Sequence, residues 1–280
     1  MRLSLCTAFL AVPAALLAVV LQDPKGILGH TLGRPVEIAV NLAKIGPYIV
    51  FGLSSTQVHP QLAALDYVID GIENVSEELR LDKAIDLVDD FGWNRGFLIN
   101  VGDVKGRIVD SALLERMKRS EPKLVVEFGT FLGYGTLRLA RVLKNSKAEL
   151  MTVDPDVLAH SVSSSLYEKA GVRDRIVMKK DFSSNVLREL HREGRQIDFL
   201  FIDHVKKLYL SDLKLALELK LLAKDCVVVG DNILWPGAPD YKEFMLQGPG
   251  AKLFETQVHQ THVEYWPEFP DIVTVSRFLG

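Results

Sequence analysis

The sequence predicts a three-layer α/β fold around a seven-stranded, mostly parallel sheet whose last strand is antiparallel. The clearest signals are two apolar runs that each end in an aspartate, at 199–202 before Asp203 and at 226–229 before Asp231. Apolar runs of this length are typical of parallel strands that helices cover on both faces. Helical segments lie between such runs, which indicates repeated strand–helix–strand units.

Five parallel strands are expected, at residues 123–127, 150–153, 175–179, 199–202 and 226–230. Residues 213–221 alternate between apolar and polar types, yet they include no β-branched residue. Their composition favours the helix that must connect two parallel strands. Two later segments, 251–258 and 272–277, are expected to complete the sheet, because an antiparallel strand often ends a parallel one.

The composition limits the classes of function. With 280 residues, of which 48% are hydrophobic and 25% charged, the chain can hold one catalytic domain and a small appendage. A net charge of −3 gives no basis for nucleic-acid binding, which calls for a basic surface. The two cysteines, Cys6 and the core residue Cys226, do not indicate a disulfide framework. We therefore expect small-molecule chemistry, carried out by a monomer.

An uncharged apolar run covers residues 3–21 and is long enough to span a bilayer. It predicts an N-terminal anchor helix at residues 1–22 and a single-pass protein of an internal or plasma membrane. A cleaved signal peptide begins in the same way and would make the protein secreted. Residues 23–80 are expected to connect the anchor to a domain at 81–280. They include an amphipathic helix at 36–45, which either lies on the membrane or packs on the domain.

A glycine-rich loop follows the first strand, in the sequence EFGTFLGYG at 127–135. Its glycines allow the backbone to approach a ligand at the start of the next helix. The spacing differs from the G-x-G-x-x-G pattern of nicotinamide sites, and Glu127 at the mouth of the loop disfavours an anionic ligand. A cationic ligand suits the loop better, such as S-adenosylmethionine with its sulfonium and ammonium groups.

Three other segments are candidates for the same ligand site. Asp154, at the end of the second strand, is placed to accept hydrogen bonds from both ribose hydroxyls of a nucleoside, although it could equally cap the next helix. Residues 181–184 bring an aromatic ring and hydroxyls that could meet an adenine ring. Residues 96–106 form a glycine-punctuated loop ahead of the sheet, which commonly covers a ligand.

Oxygen-bearing side chains follow two of the apolar strands, since Asp203 ends one strand while Asp231 and Asn232 end the next. If the strands are neighbours, these three residues converge with oxygen atoms only, which suits a hard cation such as Mg²⁺. Lys206 would lie at the edge of the site where they converge. Each of these residues taken alone is better explained as a helix cap, so the prediction depends on their combination.

The ordered set of motifs resembles the catechol O-methyltransferase family over roughly the last 200 residues. The segments that carry the resemblance are NVGDVKG at 100–106, EFGTFLGY at 127–134, DHVK at 203–206, DN at 231–232 with PG at 236–237, and VEY at 263–265. The membrane-bound form of that family also carries an N-terminal anchor. The resemblance implies a Rossmann-like, class I S-adenosylmethionine-dependent methyltransferase that uses Mg²⁺.

The resemblance also implies a role for individual residues. Mg²⁺ would be held by Asp203, Asp231 and Asn232, with Lys206 as the base and Glu264 as the partner of the second substrate hydroxyl. The donor would be bound by a larger set, consisting of Asn100, Val101, Glu127, Gly129, Phe131, Gly133, Gly135, Asp154, Ser183, Asp203 and His204. The substrate pocket would be formed by Phe97, Ile99, Val205, Pro236 and Val263.

A catechol suits such a site because two adjacent hydroxyls can chelate one divalent ion, which lowers their pKa. Lys206 could then accept the proton, and alignment with the sulfonium methyl group would supply the remaining advantage. No covalent enzyme intermediate is needed.

The chain departs from the family pattern at four positions. Phe97 and Val205 stand where the family has tryptophan, Ser184 replaces a glutamine, and Phe131 replaces a tyrosine. These departures leave the metal and base residues intact, but they make another vicinal diol, such as a phenylpropanoid, an alternative substrate. A membrane protein that kept the fold for partner binding and lost turnover is the remaining alternative.

Overall fold

A seven-stranded sheet runs through residues 59–280, the part of the chain that this computed structural model describes. In chain order the strands are β1 (Leu124–Phe128), β2 (Glu149–Val153), β3 (Ile176–Lys179), β4 (Ile197–Ile202), β5 (Leu222–Gly230), β6 (Phe254–Val263) and β7 (Trp266–Phe278). Their spatial order is β3-β2-β1-β4-β5-β7-β6. Strands β1 to β5 pair in parallel, whereas β7 runs antiparallel to both of its neighbours. The predicted sheet is therefore confirmed, including its antiparallel last strand.

Eight α-helices connect and cover the strands of this part of the chain. They are α1 (Pro60–Ile72), α2 (Glu77–Asn94), α3 (Gly102–Arg119), α4 (Tyr134–Val142), α5 (Val157–Lys169), α6 (Ser183–Arg192), α7 (Tyr209–Glu218) and α8 (Pro239–Leu246). Helices α1 to α5 pack on one face of the sheet, and α6 to α8 pack on the other. The three layers follow from the strands, because β1 and β4 are buried along their whole length and need cover on both faces.

The compact unit begins at His59, ahead of the boundary at residue 81 that the sequence suggests. The reason is the burial of α1, whose residues Ala64, Leu65, Val68 and Ile72 recur at helical spacing and join the core beneath the sheet. Helix α2, at Glu77–Asn94, likewise begins ahead of residue 81. Residues 59–80 are therefore packed structure and not only a connector.

Two other segments differ from the sequence-based expectation. Residues 102–106, expected in a loop, form the first turn of α3, because Lys105 and Val109 lie on its buried face. The strands expected at 251–258 and 272–277 are longer and form one hairpin, in which pairing continues from Phe254 opposite Phe278 to Val263 opposite Trp266. The acidic and aromatic residues of 261–267 therefore lie at the tip of a hairpin.

Within residues 59–280, no helix is both long and apolar enough to cross a bilayer. The expected anchor at 1–22 and the amphipathic helix at 36–45 lie outside the described residues.

Candidate active site

A cavity of about 830 Å³ opens at the carboxyl ends of the parallel strands. It lies where β1 and β4 are neighbours, since the chain moves outward from β1 to β2 and β3 and then returns to the other side of β1. Open α/β sheets bind their ligands at such a reversal of strand order. The loops after β1, β2, β4 and β5 and the β6–β7 hairpin all contribute to the wall.

Most of the residues that the sequence assigns to the site line this cavity. They are Phe97, Ile99, Asn100, Val101, Glu127, Gly129, Phe131, Gly135, Asp154, Ser183, Asp203, His204, Val205, Lys206, Asn232, Pro236 and Glu264. Three assigned residues are buried and are not part of the lining: Gly133, which packs against Tyr167, Asp231, which follows β5, and Val263, which belongs to strand β6.

Glu127 is a fully buried carboxylate at the end of β1. Its Oε2 accepts hydrogen bonds from the hydroxyls of Thr136 and Thr152, the latter at 2.7 Å. Burial raises the pKa of Glu127 to about 8, although these hydroxyls oppose the rise. The glycine at 135 is required here, because a Cβ on Gly135 would lie 2.2 Å from Glu127 Oε1. The arrangement leaves a buried acid that a cationic ligand would ionise.

The glycine loop is held in place by Asp154. Its Oδ2 accepts from the backbone N–H of Thr130 at 2.9 Å and of Phe131 at 3.3 Å. The cap of α5 is a different residue, since Asp156 accepts from the N–H groups of Leu158 and Ala159. Of the two explanations that the sequence left open for Asp154, helix capping therefore does not apply.

Ser183 and His204 meet through a residue that the sequence analysis did not identify. Asp212 of α7 accepts from the Ser183 hydroxyl and lies 2.8 Å from His204 Nε2. The imidazole stacks on the Tyr209 ring, with centroids 5.3 Å apart. His204 Nδ1 is buried without a hydrogen-bond partner in the described part of the chain. Because His204 is among the lining residues, a ligand bound in the cavity is a candidate partner for this atom.

Asn100 belongs to a buried polar network. Its Nδ2 donates to Tyr265 Oη at 2.9 Å, and that hydroxyl donates to Asp89 at 3.0 Å, as does Tyr134 at 2.7 Å. Burial raises the pKa of Asp89 to about 6, against the effect of the two tyrosine hydroxyls. Asn100 Oδ1 has no partner within residues 59–280, so a carbonyl oxygen at the cavity wall remains free to accept.

The predicted metal residues lie on neighbouring strand ends. Asp231 N donates to the carbonyl of Ile202, the residue before Asp203, at 3.1 Å. Lys206 Nζ lies 2.8 Å from Asp203 Oδ1 and donates to Tyr209 Oη at 2.7 Å. The Tyr209 hydroxyl in turn donates to the Asp231 carbonyl at 3.1 Å. The structure therefore brings Asp203, Lys206 and Asp231 to one corner of the sheet.

A buried lysine that the sequence analysis did not single out lies beside this corner. Lys105 Nζ is 2.8 Å from Asp231 Oδ1 and 3.2 Å from Asp271 Oδ2, and it also contacts Glu264 Oε1. Burial lowers the pKa of Lys105, but the three carboxylates outweigh it and hold the pKa above its ordinary value. The signal for Lys105 was helical spacing, because it shares the buried face of α3 with Val109.

The remaining wall of the cavity is apolar. The Phe97 ring stacks on Trp266 with centroids 4.8 Å apart, and Trp235 and Pro236 also line the cavity. Val205 is 61% exposed at the rim. On this side the cavity is therefore lined by the rings of Phe97 and Trp235, of which the sequence analysis assigned only Phe97 to the substrate pocket, while Trp266 stacks on Phe97 and is not part of the lining.

Comparison with known proteins gives a consistent result. A sequence model of the O-methyltransferase family matches residues 109–243. A probable O-methyltransferase of Mycobacterium tuberculosis is 36% identical over 228 residues, which cover 79% of this chain and 92% of that protein. Catechol O-methyltransferase B of Danio rerio is 33% identical, with 70% and 72% covered. Transmembrane O-methyltransferase of Homo sapiens is 31% identical, with 66% and 62% covered.

The fold also has solved counterparts. The O-methyltransferase from Bacillus cereus, crystallised in complex with SAH, superposes with a TM-score of 0.56. The alignment covers 77% of this chain and 97% of that chain at 21% sequence identity. At this identity the likeness concerns the fold.

Proposed function

Because this chain belongs to the O-methyltransferase family, as a catechol O-methyltransferase-like, S-adenosylmethionine-dependent enzyme, we propose that it methylates one hydroxyl of a catechol. The observation that carries the proposal is the corner formed by Asp203, Lys206, Asp231 and Asn232. It unites a hard-cation ligand set with a candidate base at the edge of the cavity.

The residues present fit a divalent cation. Asp231 Oδ2 is buried and has no hydrogen-bond partner in the described region, whereas Asp231 Oδ1 contacts Lys105 and the N–H of Asn232. The Asn232 amide nitrogen donates to Glu264 Oε1 at 2.7 Å, which leaves its oxygen for another partner. Buried carboxylate oxygens are rarely without a partner, and a bound cation would supply one here.

The charges around the corner also support the binding of a divalent cation. Four carboxylates, those of Asp203, Asp231, Glu264 and Asp271, surround the ammonium groups of Lys105 and Lys206. In their ionised forms these groups leave a net charge of −2, which a divalent cation would neutralise. Mg²⁺ held by Asp203, Asp231 and Asn232 would lower the pKa of the bound diol hydroxyls.

The donor is proposed to lie between the glycine loop and His204. Glu127 would face its ammonium group, Asp154 its ribose and Ser183 with His204 its adenine. The orphaned Asn100 Oδ1 offers a further acceptor at the methionine end.

The chain's own groups divide the chemistry as follows. Lys206, in its neutral amine form, accepts the proton of the reacting hydroxyl and becomes the ammonium group. Glu264 accepts a hydrogen bond from the second hydroxyl of the diol. The aromatic rings of Phe97 and Trp235 hold the ring of the acceptor and exclude water, so that the oxygen is aligned with the methyl group of the donor.

The acceptor assay separates the alternatives. The purified full-length chain is incubated with S-adenosylmethionine labelled in its methyl group, a panel of catechols and other vicinal diols, and either Mg²⁺ or a chelator. Transfer to a catechol that stops with chelator is expected. Transfer that ignores the chelator would refute the metal assignment. Preference for a phenylpropanoid diol would favour the alternative substrate that Val205 suggests. No transfer to any diol would favour a protein that kept the fold for partner binding and lost turnover.

Membrane attachment through residues 3–21 is the second part of the proposal. It is supported by the uncharged apolar run and by the similarity to a relative named as a transmembrane O-methyltransferase. Carbonate extraction of membranes tests it: the chain should stay in the pellet. Release into the soluble fraction, or an N-terminus that begins after residue 21, would contradict the anchor.

A further inference from the structure

Lys105 is the most deeply buried cation beside the cavity. Its side chain is 1% exposed, and its ammonium group lies among carboxylates of three separate elements: the end of β5, the β6–β7 hairpin tip and strand β7. The side-chain oxygens of Asp231, Glu264 and Asp271 come within 4.8 Å of one another. A lysine is almost never buried this completely unless it is paired.

This position competes with the proposed metal site. Asp231 belongs to both groups of ligands, because Oδ1 contacts Lys105 while Oδ2 has no partner among residues 59–280. Three carboxylates without the ammonium group would form an oxygen cluster with more negative charge than the corner beside Lys206. A divalent cation would then be drawn to that cluster, away from the candidate base.

We propose that Lys105 is a positioning residue whose ammonium group occupies the Asp231–Glu264–Asp271 cluster and so leaves the divalent cation to Asp231 Oδ2, together with Asp203 and Asn232. The inference rests on the proposed function. It assigns Lys105 no contact with substrate or donor, because its side chain does not line the cavity.

The same helix contains a matched control. Arg116 of α3 is 2% exposed and pairs with Asp198, a residue of β4 that also accepts from Lys123 N at 2.8 Å. Asp198 lies at the amino end of β4, so this pair is at the opposite edge of the sheet from the cavity. Loss of either cation leaves buried carboxylate charge uncompensated and should lower stability.

The experiment compares the full-length wild type with Lys105→Met, Lys105→Gln, Lys105→Arg and Arg116→Met. Mn²⁺ binding is followed by electron paramagnetic resonance, S-adenosylhomocysteine binding by calorimetry, and catechol turnover with Mg²⁺ by methyl transfer. The neutral Lys105 variants should bind Mn²⁺ at least as tightly as the wild type and bind S-adenosylhomocysteine within about twofold. Their kcat for the catechol should fall by at least about thirtyfold. Lys105→Arg should retain both metal affinity and most of the turnover.

A neutral Lys105 variant that keeps its Mn²⁺ affinity but loses turnover shows that Lys105 positions the cation and does not merely stabilise the fold. Arg116→Met should unfold at a lower temperature than the wild type but keep its Mn²⁺ affinity and kcat. The proposal is overturned if a neutral Lys105 variant keeps its kcat within threefold, if its Mn²⁺ affinity falls, or if neither neutral variant folds.

Failure of the proposed function has a different signature. A wild type that binds no Mn²⁺ and needs no Mg²⁺ refutes the metal assignment. In that case, a Lys105→Met variant that gains a Mn²⁺ site would still support the proposal that Lys105 occupies the carboxylate cluster. A variant that gains no site would refute both that proposal and the metal assignment.

Discussion

Glu127 should make donor binding depend on pH. The residue is 1% exposed, and burial raises the pKa of its carboxyl group to about 8, so at pH 7 the free enzyme holds it mostly protonated. The proposed contact with the donor ammonium group requires the ionised form. Binding should therefore release a proton from Glu127.

The size of the effect follows from the pKa. With a value of about 8, roughly one carboxyl in a hundred is ionised at pH 6 and roughly one in ten at pH 7. The affinity for S-adenosylmethionine should thus rise about tenfold over that interval, or about 1.4 kcal/mol. The pH range in which donor affinity reports on Glu127 alone ends near pH 7.5, because the α-amino group of the donor itself begins to lose its proton there.

Calorimetry in buffers of different ionisation enthalpy measures both the number of protons released on donor binding and the dissociation constant. We expect close to one proton released per donor bound at pH 7, and a dissociation constant that falls as the pH rises from 6 to 7. Glu127→Gln should bind more weakly and show no such slope. Glu264→Gln, which alters a second cavity carboxylate on the acceptor side, should keep it. A flat dissociation constant with no proton release in the wild type would refute the assignment of Glu127.

Three further outcomes are expected. Asp231→Asn should weaken Mn²⁺ binding by at least about tenfold, measured by electron paramagnetic resonance, because a neutral amide replaces a buried carboxylate ligand; unchanged binding would exclude Asp231 as a ligand. Gly129→Ala should weaken S-adenosylhomocysteine binding by more than about tenfold in calorimetry, since φ is +97° and the new Cβ would lie 2.5 Å from the Asp203 carbonyl oxygen; Gly194→Ala, with φ +65° and no atom within 4 Å, should cost only about 1 kcal/mol in stability and leave binding intact. Asp89 has its pKa raised to about 6, so the folded state binds the extra proton and stability should fall by about 2 kcal/mol between pH 4 and pH 6.5. Urea unfolding should show this fall reduced in Asp89→Asn, and an equal fall in both proteins would contradict the pKa of Asp89.

Much of the candidate site follows from one regularity of the sequence. Each parallel strand is an apolar run, and the first polar residue after it lies at the carboxyl edge of the sheet. Glu127, Asp154, Asp203 and Asp231 could be placed near one another on that basis, because parallel strands end at the same edge. The loop glycines were recognisable for a similar local reason, as the helix that follows them begins beside the strand end.

Other parts of the site depend on pairing between distant segments. Lys105 contacts Glu264, 159 positions later in the chain, and the hairpin that carries Glu264 and Asp271 was expected to be shorter. Asp212 was equally hidden, since it belongs to a helix whose register against β4 cannot be read from residues 209–218 alone.

The sequence by itself determined the strand runs, the edge of the sheet where function resides and the chemical types gathered there, because hydrophobic periodicity and residue chemistry are local properties. Only the tertiary structure decided which carboxylate oxygens are already paired and which remain free. That division depends on where a buried ammonium group sits among residues far apart in the chain, and packing alone sets such distances.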